Sequence, residues 1–204
     1  MNQLPLLYAI LDAACFPDEE ALFVAAESLA TAGCTLIQYR NKSGNVRQML
    51  DHARELKGRI GATARLIMND RADLALVAEF DGVHVGQDDL LPDSVRAIIG
   101  PDRWLGVSTH NPEQIEEADR TSADYLAIGP VFSTSSKDKP DPVVGLEGVR
   151  RARLLTRKPL VAIGGITRAN AASVIDAGAD SVAVISDLLR DPRKSAEEFF
   201  RILR

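Results

Sequence analysis

The stretch LVAIGGITRANAASVIDAGADSVAVIS, residues 160–186, contains two short apolar runs separated by one helical segment. Leu160–Ile163 and Ser181–Ile185 are nearly continuous apolar runs, which predicts buried strands. Thr167–Ala177 predicts a helix that ends at Gly178, a residue type common just after helices. A strand, a helix and a second strand in this order indicate a parallel sheet that is covered on both faces.

The same alternation continues along the whole chain. Apolar runs with strand character occupy Leu6–Leu11, Thr35–Tyr39, Arg65–Met68, Gly82–Val85, Trp104–Val107, Tyr125–Ile128, Leu160–Ile163 and Ser181–Ile185. Helices are predicted over Glu19–Ala32, over Asn45–Ile60, from Pro112 after the capping residue Asn111, over Thr167–Ala177 and over Asp187–Leu203.

These eight β/α units predict an α/β fold of one particular kind. A (β/α)8 TIM barrel needs about 200 residues, so a chain of 204 residues suits a single compact barrel domain that spans residues 1–204. A doubly wound open sheet is the alternative, but eight units are many for this length. A barrel would place its chemistry at the carboxyl ends of the strands.

The composition is that of an ordinary globular protein. The chain is 46% hydrophobic and 26% charged, and its formal net charge is −5. This mild acidity argues against a nucleic-acid partner, and the apolar runs are too short for the roughly 18 residues of a membrane span. Cys15 and Cys34 lack zinc or redox spacing, which favours reduced thiols and a cytoplasmic location. The oligomeric state is left open, with a homo-oligomer as one option.

Polar side chains follow the second and fifth predicted strands. Gln38, Arg40 and Lys42 alternate along an extended segment, so they share one face and would suit an anion attached to a polar heterocycle. A solvated strand end is the alternative. Ser108 after the fifth strand is either a substrate contact or a turn residue.

Carboxylates stand at the ends of the third and fourth strands. Asn69-Asp70 and Asp88-Asp89 occupy these positions, and Mg²⁺ in proteins takes one or two carboxylates together with substrate phosphates. The alternative is that Asp70 caps a helix and the other two aspartates lie on a solvated turn. The cations and the amide nearby favour the metal.

The loops after the seventh and eighth strands favour a phosphate. Gly164 and Gly165 follow one strand and Ser186 follows the other, at the place where many barrels bind a phosphate group. A tight turn would also explain the glycines. His84 is expected inside the barrel and His52 on an exposed helix surface.

The residue types also bear on the reaction. The chain lacks an evident Cys–His pair or Ser–His–Asp set, which argues against a covalent acyl intermediate. The residues predict metal-assisted transfer that involves two phosphorylated substrates.

The segment GPVFSTSSKDKPDPVVG, residues 129–145, has neither strand nor helix patterning. It carries several hydroxyls and two lysines, Lys137 and Lys139, and has no hydrophobic face. A connection of this length is typical of either a lid or a solvated segment. Its position after the sixth strand favours a lid that substrate orders and that is mobile without substrate.

These motifs, in this order, resemble the thiamine phosphate synthase family from about Leu7 to Leu189. The matching motifs are Q-x-R-x-K (residues 38–42), N-D (69–70), G-V-H-x-G-Q-x-D (82–89), G-x-S (106–108), G-P-V-F-x-T-x-S-K (129–137), A-I-G-G-I (162–166) and A-V-I-S (183–186). The resemblance implies a (β/α)8 barrel that joins hydroxymethylpyrimidine diphosphate to a thiazole phosphate with Mg²⁺. The implied products are thiamine phosphate and pyrophosphate.

The resemblance also implies three groups of site residues. The residues implied to bind the pyrimidine diphosphate are Gln38, Tyr39, Arg40, Asn41, Lys42, Asn69, Ser108 and Lys137, with Arg40, Lys42 and Lys137 as the catalytic cations. Those implied to bind the thiazole phosphate are Thr134, Ser135, Ser136, Gly165, Ile185 and Ser186. The implied metal ligands are Asp70 and Asp89, the latter selected over Asp88 by the family's spacing.

Three positions depart from the family's usual residues. Ser136 stands where Thr is common, and Tyr39 and Asn41 stand where Leu and an acidic residue are common. Strand parity points the Tyr39 side chain away from the barrel mouth, so the assignment is unchanged.

Two rival functions use the same fold. A thiazole tautomerase, a related barrel that isomerises a thiazole phosphate, should not need the diphosphate cations and metal ligands. A non-catalytic sensor of a phosphorylated ligand should have lost charged residues at the strand ends. The chain has all of the charged residues that the synthase would use, which favours the synthase over both; they are Arg40, Lys42, Asp70, Asp89 and Lys137.

Overall fold

A computed structural model describes residues 4–134 and 141–204 and shows a closed barrel of eight parallel strands. Each strand pairs with the next one along the chain, and the first also pairs with the eighth, which closes the ring. The strands are β1 (Leu7–Asp12), β2 (Leu36–Arg40), β3 (Arg65–Asn69), β4 (Gly82–Val85), β5 (Trp104–Thr109), β6 (Tyr125–Ile128), β7 (Leu160–Ile163) and β8 (Ser181–Val184).

Helices connect the strands and cover the outside of the barrel. A 3-10 turn at Ala13–Cys15 follows β1. The α-helices are α1 (Glu19–Thr31), α2 (Val46–Ile60), α3 (Ala72–Val77), α4 (Pro92–Ile99), α5 (Pro112–Asp119), α6 (Gly145–Leu155), α7 (Ala171–Asp176), α8 (Ser186–Leu189) and α9 (Pro192–Ile202). The predicted TIM barrel is confirmed.

The predicted single helix over Asp187–Leu203 is wrong. Two helices, α8 and α9, occupy this region because a new helix start lies between them. Asp191 accepts a hydrogen bond from the backbone N–H of Lys194, and Pro192 takes the first helical position, where its missing N–H is not needed. The break turns α9 back against α1 and α8.

The strands bury both of their faces, as their continuous apolar runs predict. Along β1, Leu7, Ala9 and Leu11 face the helices, whereas Tyr8 and Ile10 point into the barrel. This alternation follows from the two-residue repeat of a strand. Other side chains that fill the barrel interior are Leu36, Ile67, Tyr125, Ala127, Val161 and Ala183.

Three aspartates form the same contact at the amino-terminal face of the barrel. Asp81, Asp124 and Asp180 directly precede β4, β6 and β8, and each carboxylate accepts a hydrogen bond from a backbone N–H of the preceding strand. Each carboxylate also forms an ion pair with a cation on α2, α4 or α6, the helix that leads into the strand whose N–H it accepts from. The three ion pairs are Asp81–Lys57 at 3.3 Å, Asp124–Arg96 at 2.5 Å and Asp180–Arg153 at 2.8 Å.

Among the helices of residues 4–134 and 141–204, none combines the length and the apolar character that a membrane span requires.

We predict that Asp124→Ala destabilises the barrel. The substitution takes the acceptor from the Leu105 N–H, at 2.7 Å, and the partner from the partly buried Arg96 guanidinium. Because hydrogen bonds to charged groups are the stronger ones, we expect a loss of about 2–3 kcal/mol in the free energy of unfolding, measured by urea denaturation. Asp102→Ala, on an exposed position before β5, is the control and should change it by less than about 0.5 kcal/mol. Equal stabilities of the two variants would contradict a stabilising role of the Asp124 contacts.

Candidate active site

A cavity of about 670 Å³ opens at the carboxyl ends of the strands. Its floor is the top of the barrel interior, and its walls are the loops that follow the strands. Most of the predicted site residues line it, namely Gln38, Arg40, Lys42, Asn69, Asp70, Asp89, Ser108, Thr134, Gly165, Ile185 and Ser186.

Five predicted residues are not part of this set. Tyr39 and Asn41 point toward the helix layer, where the Tyr39 hydroxyl contacts His52 Nδ1 at 2.9 Å and Asn41 Nδ2 donates to the same hydroxyl at 3.1 Å. The parity argument for Tyr39 therefore holds. Ser135, Ser136 and Lys137 lie outside the described residues, as does the central part of the predicted lid.

The expectation that His52 is exposed is wrong. Its side chain is buried between α1 and β2, with Tyr39 on one side and the Phe23 ring on the other at 5.6 Å between ring centroids. Helix α2 carries a charged outer face, and His52 lies on its inner face with Met49 and Leu56. The amphipathic spacing of α2 contains this signal, but a histidine is ambiguous in such a pattern.

Asp70 and Asp89 place two carboxylates at the same cavity, after β3 and β4. Burial raises the pKa of Asp70, the nearby Asp89 carboxylate raises it further, and a hydrogen bond from Lys42 Nζ at 2.5 Å opposes both effects. The Asp89 carboxylate is half-buried and accepts a hydrogen bond from the Gly86 N–H at 2.8 Å, whereas Asp88 is exposed. The geometry thus distinguishes Asp89 from its neighbour.

This pair of carboxylates fits a hard divalent cation. Asp70 has a left-handed backbone with φ of 61°, and its N–H donates to the His84 carbonyl at 2.8 Å. Strained backbone of this kind persists where the surroundings hold it, and it is common at functional sites. Within residues 4–134 and 141–204, groups of three or more His, Cys, Asp or Glu that could hold a metal ion are absent. Two carboxylates beside the Asn69 amide leave other coordination positions to water or phosphate oxygens, as Mg²⁺ prefers.

Arg40 is held in place by Asp12, a residue that the sequence reasoning missed. The two side chains form an ion pair across the ends of β2 and β1, and Asp12 is almost completely buried. A buried ion pair fixes the direction of the guanidinium, which lines the cavity. The available signal was a carboxylate at the end of an otherwise apolar strand.

The loops after β7 and β8 are fixed by close packing and by ion pairs of Arg168. Gly165 has φ of 63°, and a Cβ atom there would lie 2.5 Å from the Ser133 carbonyl oxygen, so only glycine fits. Arg168 in the β7 loop binds both carboxylate oxygens of Asp187 on α8, at 2.9 and 3.0 Å. The hydrogen bond from Arg168 lowers the pKa of Asp187. These contacts leave the backbone of Gly165 and the start of α8 at the cavity wall.

Five side chains form a hydrogen-bonded chain across the cavity floor, here called the floor chain. It joins Gln38 Nε2 to the Tyr8 hydroxyl at 2.7 Å, Tyr8 to the Tyr125 hydroxyl at 3.0 Å, Tyr125 to His84 Nδ1 at 3.1 Å, and His84 Nε2 to Ser108 Oγ at 2.8 Å. The expectation that His84 lies inside the barrel is confirmed, and burial lowers its pKa to about 4. Sequence reasoning missed Tyr8 and Tyr125, because a tyrosine within an apolar strand is usually a core residue.

The chain has clear similarity to known proteins. A model of the family described as thiamine monophosphate synthase matches residues 7–188. The thiamine-phosphate synthase of Koribacter versatilis is 60% identical over 204 residues, 98% of this chain and 97% of that protein. The thiamine-phosphate synthase of Chloroflexus aurantiacus is 47% identical over 161 residues, 78% of this chain and 74% of that protein. Among solved structures, a thiamine phosphate pyrophosphorylase from Pyrococcus furiosus matches with a TM-score of 0.85 and 36% identity, over 97% of this chain and 94% of that chain.

We predict that Asp89→Asn stabilises the metal-free protein at pH 8. Because the pKa of Asp70 is raised on folding, the folded state binds that proton more tightly than the unfolded chain does. This contribution to stability is complete below the ordinary aspartate pKa and is lost as the pH rises through the raised value. At pH 8 the stability contributed by this proton has been lost. Removal of the Asp89 charge weakens the repulsion on Asp70, so we expect the free energy of unfolding to rise by about 1 kcal/mol.

The measurement is urea denaturation in EDTA at several pH values. Asp88→Asn is the matched control, since Asp88 is exposed and adjacent in the chain, and it should leave the stability curve unchanged. A loss of stability in Asp89→Asn at pH 8 would contradict the repulsion between the two carboxylates.

Proposed function

The chain belongs to the thiamine monophosphate synthase family, and we propose that it joins hydroxymethylpyrimidine diphosphate to a thiazole phosphate, forming thiamine phosphate and releasing pyrophosphate. Family membership makes it an enzyme of the transferase class. One observation carries the proposal for the substrates. A single cavity has a pair of carboxylates with two cations on one wall and the β7 and β8 loops on the other.

The first wall suits a heterocycle that carries a diphosphate. Gln38 is buried at the floor, where its amide can bind the edge of a polar ring. Arg40 at the end of β2 and Lys42 two residues later line the same cavity and supply positive charge for the diphosphate. Asn69 and Ser108 border the same space, and the family resemblance adds Lys137, which follows β6 in the sequence.

Asp70 and Asp89 would hold Mg²⁺. The proximity of the two negative charges is unfavourable in the absence of a cation, and among the contacts described for Asp70 only Lys42 offsets it at hydrogen-bond distance. When bound, Mg²⁺ supplies charge neutralisation for the diphosphate oxygens. Lys42 would then be released from Asp70 toward the diphosphate.

The second wall suits the thiazole phosphate. The backbone of Gly165 and the region of Ile185 and Ser186 border the cavity opposite the carboxylates, and Thr134 lies at its edge. Backbone N–H groups at such turns bind phosphate oxygens well. By resemblance, Ser135 and Ser136 complete this subsite.

The proposed reaction needs no nucleophile from the protein. The bond between the pyrimidine methylene carbon and the diphosphate oxygen breaks, and its electron pair leaves with pyrophosphate. The thiazole nitrogen then gives its lone pair to the methylene carbon and forms the new C–N bond. Arg40, Lys42 and Lys137 stabilise the charge that develops on the leaving group, and the two walls hold the reacting atoms close together.

The two cysteines support a reducing, cytoplasmic setting. Cys15 and Cys34 are both free thiols, and burial raises the pKa of Cys34 to about 12, so this thiol is unreactive.

We expect the purified protein to form thiamine phosphate when it is incubated with both substrates and Mg²⁺, and to lose this activity in EDTA. Product is measured by conversion to fluorescent thiochrome phosphate, and pyrophosphate is measured in parallel. Isomerisation of the thiazole phosphate without condensation would select the tautomerase instead. Binding of either substrate with no turnover of any kind would select a sensor.

We also predict that Asp89→Asn lowers turnover by at least about a hundredfold, as the loss of an electrostatic contribution to the transition state often does. Asp88→Asn should stay within about threefold of wild type, because its carboxylate is exposed. Steady-state kinetics over a Mg²⁺ titration measure both variants. Equal effects of the two substitutions would remove Asp89 from the metal site.

A further inference from the structure

The hydrogen bonds of the floor chain all run in one direction, because each member donates one hydrogen bond to the next. Gln38 Nε2 donates to Tyr8, so the Tyr8 proton goes to Tyr125 and the Tyr125 proton goes to His84 Nδ1. A neutral imidazole carries one N–H, so His84 Nε2 then donates to Ser108 Oγ. The Ser108 hydroxyl proton is left to point into the cavity.

The only other arrangement that satisfies every member reverses all four hydrogen bonds. Gln38 would then accept from Tyr8 through its carbonyl oxygen, and Ser108 would donate its proton to His84 Nε2. In that arrangement Gln38 offers the cavity its amide protons and Ser108 offers only lone pairs. The hydrogen-bonding roles that Gln38 and Ser108 present to the cavity therefore cannot change independently.

Burial and close packing enforce this coupling. Tyr8, Tyr125 and His84 are each more than nine-tenths buried, and an unpaired polar group at such a depth is costly. A doubly protonated ring would donate from Nδ1 as well and would meet the proton of the Tyr125 hydroxyl, so the chain accommodates a neutral His84 ring with one proton. The backbone of β5 lies directly against the hydrogen bond between Tyr125 and His84. A Cβ atom on Gly106 would lie 2.3 Å from the Tyr125 hydroxyl and 2.4 Å from His84 Nδ1.

We propose that the floor chain couples the hydrogen-bonding polarity of Gln38 to that of Ser108, with Tyr8, Tyr125 and His84 as positioning residues. In the direction that donation from Gln38 to Tyr8 sets, Gln38 keeps its carbonyl oxygen for a ligand donor and Ser108 keeps its proton for a ligand acceptor. This favours a ligand that has an amino-type donor at one end and an anionic group at the other. The selection of such a ligand rests on the proposed function, whereas the coupling itself does not.

The coupling is tested by ¹⁵N NMR of the histidine rings, because His84 is one of only three histidines. In the wild type we expect the proton of His84 on Nε2 and a bare Nδ1. In Gln38→Glu, a protonated carboxyl can still donate to Tyr8, but an ionised carboxylate can only accept. The ¹³C shift of the new carboxyl reports its ionisation as the pH is raised. Over the same pH range, the His84 proton should therefore move from Nε2 to Nδ1.

Two controls keep this titration interpretable. His52, in the helix layer, should keep its tautomer throughout. Tyr125→Phe keeps the ring but removes the link, so adding it to Gln38→Glu should abolish the response of His84. A His84 tautomer that ignores ionisation of the carboxyl, or a wild-type proton on Nδ1, would overturn the proposal.

A kinetic measurement then separates the coupling from the proposed function. Tyr125→Phe alone should raise KM for the pyrimidine diphosphate about five- to tenfold, the effect of one lost hydrogen bond, and leave KM for the thiazole phosphate within about twofold. Equal changes in both KM values would refute the positioning role. An inactive wild type with a responsive His84 tautomer would sink the proposed function and leave the coupling intact.

Discussion

Closure of the parallel ladder is the constraint on which the rest of this structure depends. Because β1 pairs with β8 as well as with β2, all eight strands point the same way around one ring. Every strand therefore delivers its last residue to the same rim, and strand parity decides which of those side chains face the cavity. Residues as distant in sequence as Arg40 and Ser186 therefore line one cavity without any specific contact having to bring them there.

The two ends of the barrel use aspartate in opposite ways. At the amino-terminal face, Asp81, Asp124 and Asp180 each have a backbone donor and a cation, so their charges stabilise the fold. At the rim, Asp70 and Asp89 face each other, and the pKa of Asp70 rises. The fold thus tolerates at the rim a repulsion that a bound cation would remove. This division follows the general behaviour of such barrels, in which stability and chemistry lie at opposite faces.

The sequence was sufficient for the fold and for much of the rim. Near-continuous apolar runs identified all eight strands, and alternation along β2 correctly separated Gln38 and Arg40 from Tyr39. It was insufficient where one residue type fits two environments. Tyr8 and Tyr125 read as core aromatics, and only their spatial meeting shows that their hydroxyls link Gln38 to His84. His52 was misread for the same reason. The break before Pro192, by contrast, was readable from Asp191-Pro192, a common helix start.

Anomalous scattering from crystals soaked with Mn²⁺ and pyrophosphate tests the carboxylate pair most directly. The account predicts one strong peak within about 2.3 Å of oxygens from both Asp70 and Asp89, with pyrophosphate oxygens completing the coordination. Lys42 should have left Asp70 and turned toward the pyrophosphate. A peak elsewhere on the rim, or an intact Lys42–Asp70 contact beside bound pyrophosphate without metal, would contradict it.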